Sequence, residues 1–388
     1  MPPPDLGRRR FLTHTGIGLA AAGIGLSSRS ALAATTPAPA VRTANALPKW
    51  KGFNFLDFFN PDPARARPAT RVESFAWMRD WGFDFVRVPM AYPYYLDIDY
   101  SRPITPEEVY RFDESKLARI DALVTAAHQR GLHVSLNLHR APGYCINAGF
   151  HEPYNLWRDQ AALDAFCAHW TLWAKRYRGI PNQLLSFDLV NEPSLREDMN
   201  DQHGKREAVP GDVYYRVAKA AVDAIRAVDP GRLIIADGNN GGHLAVPELA
   251  PLGIGQSCRG YMPFNISHHK APWVYKDPDN LPAPKWPDGP QANRAWLERL
   301  YQPWFDLKDR GVGVHCGECG CYNLTPHPVF LAWFRDVLEV LSERGIGFGL
   351  WEMHGAFGLL DSRRTDVAYE DWYGHQLDRK LLELLQRV

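Results

Sequence analysis

The stretch LLSFDLVNEPS, residues 184–194, joins an apolar run to a polar ending. Leu184, Leu185, Phe187, Leu189 and Val190 suit a buried strand, yet Asn191, Glu192 and Pro193 follow at once. Side chains alternate along a strand, so Leu185, Phe187 and Leu189 share one side while Ser186, Asp188 and Val190 share the other. LHVSLNLH, residues 132–139, repeats the pattern: Leu132, Val134, Leu136 and Leu138 oppose His133, Ser135, Asn137 and His139. Strands of this kind fit a barrel, with the apolar side under helices and the polar side toward the axis.

Eight apolar runs read as strands, near 51–55, 83–88, 132–138, 185–190, 232–236, 258–262, 312–316 and 346–351. Helical periodicity fills most of the gaps, over 115–130, 160–177, 212–228, 292–310, 329–344 and 369–386. Asp229-Pro230-Gly231 stops the third of these, because proline cannot continue a helix and glycine tolerates the left-handed cap. Two gaps carry no clear helix, the loop Gly238–Gly242 after the fifth strand and the Pro-rich stretch 271–290. No Gly-x-Gly-x-x-Gly turn follows the first strand, which disfavours a doubly wound sheet. The predicted fold is α/β, a single-domain (β/α)₈ TIM barrel over residues 49–388.

The N-terminus reads differently. Arg8, Arg9 and Arg10 precede Phe11-Leu12, an Ala/Gly/Ile/Leu stretch to Leu26, and Ala31-Leu32-Ala33. Residues 1–33 are thus expected to be a twin-arginine export signal, followed by a flexible Ala/Pro/Thr tether over 34–48. The expected location is periplasmic or secreted. The apolar run is too short and Gly-rich to span a bilayer of about 30 Å, and no other segment is long enough to be a membrane helix.

The 388 residues are 45% hydrophobic and carry 44 basic and 44 acidic side chains, so no basic surplus points to nucleic acid or an anionic membrane. Removal of residues 1–33 leaves 40 basic and 43 acidic residues, a net charge of −3. A monomer is expected. The six cysteines permit disulfides in an exported protein, but a core of this size does not require them.

Active sites of such barrels collect at the C-terminal strand ends. Here those ends deliver Arg87, His139, Asn191, Glu192, Tyr261, Glu318 and Trp351. Glu192 and Glu318, from strands four and seven, are placed to face each other across the mouth. Two such carboxyl groups are what glycoside cleavage uses: one protonates the leaving oxygen while the other attacks the anomeric carbon, with retention when they stand about 5 to 5.5 Å apart. Asn191 and Glu192 are adjacent, so a bulge or early turn is expected to let both reach the mouth.

In these motifs the chain resembles glycoside hydrolase family 5, the cellulase family of the large retaining-glycosidase clan. FDLVNEPS is similar to its strand-four signature and GVHCGECG to its strand-seven segment; FVRVPM, LNLHRAPG and GIGFGLWE match its Arg, His and Trp strand ends. The resemblance spans Lys49 to the C-terminus. It implies Glu192 as general acid/base and Glu318 as nucleophile, kept ionised by Arg87 and Tyr261. It further implies that Asn191 holds the sugar 2-hydroxyl, that His139 binds a neighbouring hydroxyl, and that Trp351 offers a flat face to a sugar ring. The implied reaction is retaining hydrolysis of a β-linked glucan, most simply as an endo-β-1,4-glucanase, on an oligo- or polysaccharide substrate and with no cofactor. A β-mannanase, a β-1,3-glucanase, an exo-glucosidase and a non-catalytic sugar-binding barrel are the alternatives, since loops decide specificity.

The family has His-x-Tyr on strand six where this chain has Arg259-Gly260-Tyr261. Either His268 substitutes from the following loop, as a substrate contact, or that contact is lost. HCGECGC, residues 315–321, invites a metal reading, but Cys316 and Cys319 should point to opposite faces of a strand and a second ligand pair is missing. No metal is expected there; a disulfide drawing on Cys145 or Cys258 is the other alternative. DGNNGG, 237–242, reads as a turn at the mouth, and Trp50, Trp157, Trp273 and Trp286 are candidate sugar platforms.

Overall fold

The computed structural model describes residues 47–147, 151–198, 201 and 203–388. The segment expected to be an export signal, and most of the one expected to be a tether, therefore lie outside the described residues. No helix among the described residues is long and apolar enough to cross a membrane.

Eight parallel strands close on themselves: β1 Lys51–Asn54, β2 Phe85–Ala91, β3 His133–Ala141, β4 Leu185–Asp188, β5 Leu233–Asp237, β6 Gly255–Gly260, β7 Val314–Cys319 and β8 Phe348–Leu350. β1 pairs with both β8 and β2, and β2 with β3, which completes the barrel. Around it run α1 Val72–Asp80, α2 Glu114–His128, α3 Gln160–Arg176, α4 Gly211–Val228, α5 Arg294–Asp309, α6 His327–Ser342 and α7 Arg379–Arg387.

The alternation read from β3 and β4 has the consequence expected of it. Leu136 and Phe187 pair in register, are fully buried, and face outward, where Trp170 of α3 lies 5.1 Å from the Phe187 ring and donates its indole N–H to the Leu189 carbonyl. Each such side chain contributes about 1.5 to 3 kcal/mol of burial. The opposite faces meet inside the barrel, where His133 bonds Ser186 at 2.8 Å and Asn137 donates to the Asp188 carbonyl at 3.3 Å.

At the N-terminal end Trp50 lies over His133, ring centroids 3.9 Å apart, and packs with Leu47, Phe85, Leu233 and Ile235. This tryptophan seals the barrel's closed end, so it is no sugar platform. Trp157 is buried against Tyr144 and Tyr214, and Trp286 donates its indole N–H to Asp336, so these two are structural as well.

Three element readings need correction. The sixth strand runs over 255–260 instead of 258–262, so Tyr261 lies just beyond it. The fourth strand ends at Asp188, because the chain turns at the site. The helix expected over 369–386 is half a hairpin: β9 Glu370–Trp372 and β10 His375–Leu377 pair antiparallel, and only Arg379–Arg387 is helical. Tyr373 and Gly374 both have positive φ, 53° and 86°, the backbone of a two-residue hairpin turn.

Candidate active site

The interior of the barrel narrows upward onto two buried arginines. Arg87, on β2, donates through Nε to Asp188 at 2.8 Å, through Nη2 to the Asn191 side-chain oxygen at 2.9 Å, and through Nη1 to Glu318 Oε1 at 2.6 Å and Asn54 at 3.1 Å. Arg259, on β6, donates through Nε to Glu192 Oε1 at 2.8 Å and through Nη2 to Asn191 at 3.0 Å. Its Nη1 and Nη2 also grip both oxygens of Asp237, and Nη2 lies 3.3 Å from Glu318 Oε1. One guanidinium thus touches both glutamates.

Two glycines make room for that side chain. A Cβ on Gly317 would come within 2.5 Å of Ser257 Oγ and 3.4 Å of Arg259 Nη1; one on Gly242, whose φ is +80°, would come within 2.5 Å of Arg259 Cγ. Gly242 accepts no larger residue without displacing the arginine, and Gly317 none without displacing Ser257 Oγ, which accepts from Arg259 Nη1 at 3.0 Å.

Charges this deep are tolerated only when paired and hydrogen-bonded. Here two guanidinium groups face Asp188, Asp237, Glu192 and Glu318. Burial, then the charge of Asp237, pushes the Asp188 carboxyl up to about 7, against the pull of both arginines. Burial first and the neighbouring Glu318 second raise Glu192 from its usual range to about 7, with Arg259 pulling the other way. A carboxyl near 7 can both give and take a proton at neutral pH.

The turn after β4 is the device expected for bringing Asn191 and Glu192 to the mouth together. Glu192 itself has left-handed φ, +48°, and three bonds hold it there: its N–H donates to Asp237 at 2.9 Å, its carbonyl accepts from the Tyr144 hydroxyl at 2.7 Å, and its carboxylate accepts from Arg259. A non-glycine residue held in this conformation by its surroundings is common at functional sites.

Glu318 arrives by a second irregularity. The pairing of β7 with β6 shifts register between Cys316 and Glu318, so the chain bulges at Gly317. Tyr261 donates its hydroxyl to Glu318 Oε2 at 3.1 Å, and burial together with Glu318 holds that phenol well above its ordinary value, so it stays a donor. The bulge also corrects the expectation that Cys316 and Cys319 oppose each other. Both crowd Gly260, where a Cβ would sit 2.5 Å from Cys319 Cβ and 3.2 Å from Cys316 Sγ. All six cysteines are free thiols, and the disulfide alternative is not realised.

These groups open into a cleft of about 710 Å³, lined by Phe59, His139, Glu192, Arg206, His243, Tyr261, His268, Trp273, Glu318, Tyr322, Trp351 and Phe357 among others. His139 points Nε2 at the Asn191 side-chain nitrogen, 3.4 Å away; burial, then Arg87 and Arg259, hold it well below its ordinary value, hence neutral. Trp351 stacks on it at 5.5 Å. Of the four proposed tryptophan platforms, Trp273 alone lines the cleft, 38% exposed and edge-on to Tyr322 at 4.8 Å.

Arg259 takes the place the family gives to histidine, and it is Arg259 that bonds Glu192. His268 instead shares a bond of 2.8 Å with Ser267 Oγ and packs edge-on to Tyr261 at 5.0 Å, lining the cleft without a hydrogen bond to either glutamate among the described residues. Sequence reasoning missed Asp188, Asp237 and Tyr144. Asp237 carries a legible signal, an acid ending the apolar strand LIIAD. On the far wall Glu352, next to Trp351, is ion-paired with Arg67, and both line the cleft.

Residues 44–357 match the cellulase family, glycosyl hydrolase family 5. Cellodextrinase A of Ruminococcus flavefaciens is 26% identical over 274 residues, 69% of this chain and 73% of that protein. Endoglucanase C of Acetivibrio thermocellus is 24% identical over 319 residues, 74% of this chain and 85% of that protein. A solved structure described as a glycoside hydrolase superposes with a TM-score of 0.78 at 37% identity, covering 87% of this chain and 99% of that one. With the match running through every barrel strand and both glutamates, the chain belongs to glycosyl hydrolase family 5 and is a glycoside hydrolase.

Proposed function

We propose that the protein is a retaining endo-β-1,4-glucanase, with Glu192 as acid/base and Glu318 as nucleophile. The observation that carries this reading is the shared grip of Arg259 on two carboxyl groups in unlike surroundings. Glu192 is raised to about 7, whereas Glu318 receives Arg87, Arg259 and Tyr261 together. In the first step Glu318 attacks the anomeric carbon while Glu192 gives its proton to the departing glycosidic oxygen. In the second, Glu192 takes a proton from water, which displaces Glu318 with a second inversion and net retention. Asn191, fixed by both arginines, presents its amide nitrogen to the 2-hydroxyl; His139 binds an adjacent hydroxyl, and Trp351 and Trp273 supply ring faces. His268, in the cleft wall, contacts substrate further along.

The choice of a β-glucan follows the relatives, a cellodextrinase and endoglucanases by name. The test is a panel of β-1,4-glucan, β-1,3-glucan, mannan and aryl glycosides, with product length and anomer followed by NMR. Internal cleavage of β-1,4-glucan with retained configuration is expected; inversion, or no cleavage of any glycan, overturns the reading. Glu318→Gln should lose at least about a thousandfold in kcat. Glu192→Gln should lose about 10² to 10⁴-fold on polysaccharide but far less on aryl glycosides whose leaving group needs no proton.

Export by the twin-arginine route is part of the same reading. Replacing Arg8, Arg9 and Arg10 by lysine together should leave the protein in the cytoplasm of a bacterial host.

A further inference from the structure

A second cluster lies outside the catalytic constellation, on the loop that follows β8. His354 and Asp361 belong to that loop and His375 to β10. Both imidazoles direct Nδ1 at one carboxylate oxygen, Asp361 Oδ2, His375 from 2.7 Å and His354 from 3.5 Å. Their ring centroids are 4.9 Å apart, and the three ligand atoms all fall within 4.8 Å of one another. Among the described residues no other three His, Cys, Asp or Glu side chains converge in this way.

The surroundings fix the orientation of each group. His354 turns Nε2 to Ser74 Oγ, 3.4 Å away on α1. Asp361 uses its other oxygen, Oδ1, to accept the Gln376 N–H at 2.9 Å, and its backbone is held at φ 57°. The His375 ring sits edge-on to Trp77 at 5.7 Å. Outer bonds of this sort hold ligating histidines and carboxylates in position at metal sites. All three side chains are partly exposed, between 22% and 37%, which leaves an approach for an ion and a water. The nearby cation Arg67, which donates to the His354 carbonyl at 3.1 Å, is already paired with Glu352.

We propose that His354, Asp361 and His375 form a binding site for a divalent transition-metal ion, zinc by preference, with water as the fourth ligand. Two imidazole nitrogens and one carboxylate oxygen are a donor set zinc accepts, at about 2.0 to 2.2 Å from the ion. A tetrahedron of that radius sets its ligand atoms about 3.3 Å apart, close to the 3.5 Å from His354 to Asp361, while His375, at 2.7 Å, has to draw back by about half an ångström. On binding, His375 gives up its Nδ1 proton and carries the ring proton on Nε2 instead, and the hydrogen bond between Asp361 and His375 is replaced by one metal bond from each. The ion ties the loop bearing Trp351 and Glu352 to the β9–β10 hairpin, and so braces one wall of the cleft without taking part in the chemistry of Glu192 and Glu318.

The test uses the full mature chain, stripped with a chelator and titrated with Zn²⁺ by calorimetry and with Co²⁺ by visible absorption. One equivalent of Zn²⁺ is expected to bind with micromolar affinity or better, and Co²⁺ to give the d–d bands of a low-coordinate site. His354→Ala, Asp361→Asn and His375→Gln should each weaken Zn²⁺ binding at least about tenfold. The glutamine keeps the bulk that packs on Trp77, so loss of binding there is not loss of fold, and circular dichroism checks each variant. Zn²⁺ should raise Tm for the wild type and not for the variants. No saturable binding up to about 1 mM Zn²⁺, or unchanged stoichiometry and affinity in the variants, overturns the proposal.

Discussion

Arg259 holds four groups at once, and its removal should be felt both in the chemistry and in the fold. It bonds Glu192, Asp237 and Asn191 and lies beside Glu318, and is itself buried, with Glu192 alone of these partners reaching the open cleft by more than a few per cent. Breaking a buried ion pair on one side costs about 3 to 5 kcal/mol, because the partner charges are left without compensation. Arg259→Gln should therefore lower the unfolding free energy by about that amount in a denaturant titration. Its effect on rate has a definite sign as well. In the proposed mechanism Glu192 must be protonated to act as the acid, and its carboxyl lies at about 7, so kcat/KM should fall as pH rises through about 7. Arg259 pulls the Glu192 carboxyl downward, so Arg259→Gln should move this alkaline limb to higher pH. A limb that stays in place in the variant, or that survives Glu192→Gln, assigns it to another group.

At the same scale the sequence shows which polar side chains the strands deliver and hides which of them meet. Glu192 and Tyr261 stand just beyond a strand, Glu318 near the end of one, and Arg87 and His139 within β2 and β3, and a polar residue in or after an apolar run is visible in a single chain. Asp188 and Asp237 matter because the register of β2, β4, β5 and β6 points them at two arginines, and register is a property of pairs of strands. The role of Arg259 was hidden for the same reason.

Among the elements, the strands and five of the helices were legible because both their period and their stops are written locally. The segment after α6 shows how this fails. Leu381, Leu382, Leu384 and Leu385 give a strong helical face, and extending it backward to Tyr369 overlooked two local signals. Tyr373-Gly374 is a two-residue turn, and Asp378 accepts the Leu381 N–H as the true N-cap. Caps also carry measurable stability. Asp113 starts α2 by accepting the N–H groups of Ser115 at 2.9 Å and Lys116 at 3.3 Å. The Ser115 hydroxyl, donating at 2.6 Å, and then Lys116, through its ammonium and its N–H, hold the Asp113 carboxyl down at about 2 against the cost of burial. Asp113→Ala should cost about 1 kcal/mol, roughly 2 °C in Tm. Because the folded value is depressed, the wild-type advantage is present above the ordinary aspartate range and vanishes as pH falls through about 2. A calorimetric pH series on both proteins checks this.

Across the whole molecule the two ends of the barrel divide stability from chemistry. The closed end is plugged by Trp50 on His133, while the open end carries the glutamates, Trp351 and Trp273. Closure of the barrel was legible from eight alternating runs. Which tryptophans belonged to which end was not, since an aromatic near a loop reads the same at either rim. The division predicts opposite outcomes for two tryptophan variants. Trp50 is 5% exposed and packs inside a rigid layer, so Trp50→Ala should cost about 3 to 5 kcal/mol. Well below its lowered Tm, that variant should keep kcat/KM within about threefold of the wild type, because no catalytic group touches the cavity it leaves. Trp273, at 38% exposure, has little burial to lose, so Trp273→Ala should leave Tm nearly unchanged while raising KM for long glucans more than for aryl glycosides. Paired thermal scans and kinetics on the two variants decide the matter: a Trp273→Ala protein that unfolds early yet cleaves normally, or a Trp50→Ala protein that is stable but inactive, would reverse the assignment of the two ends.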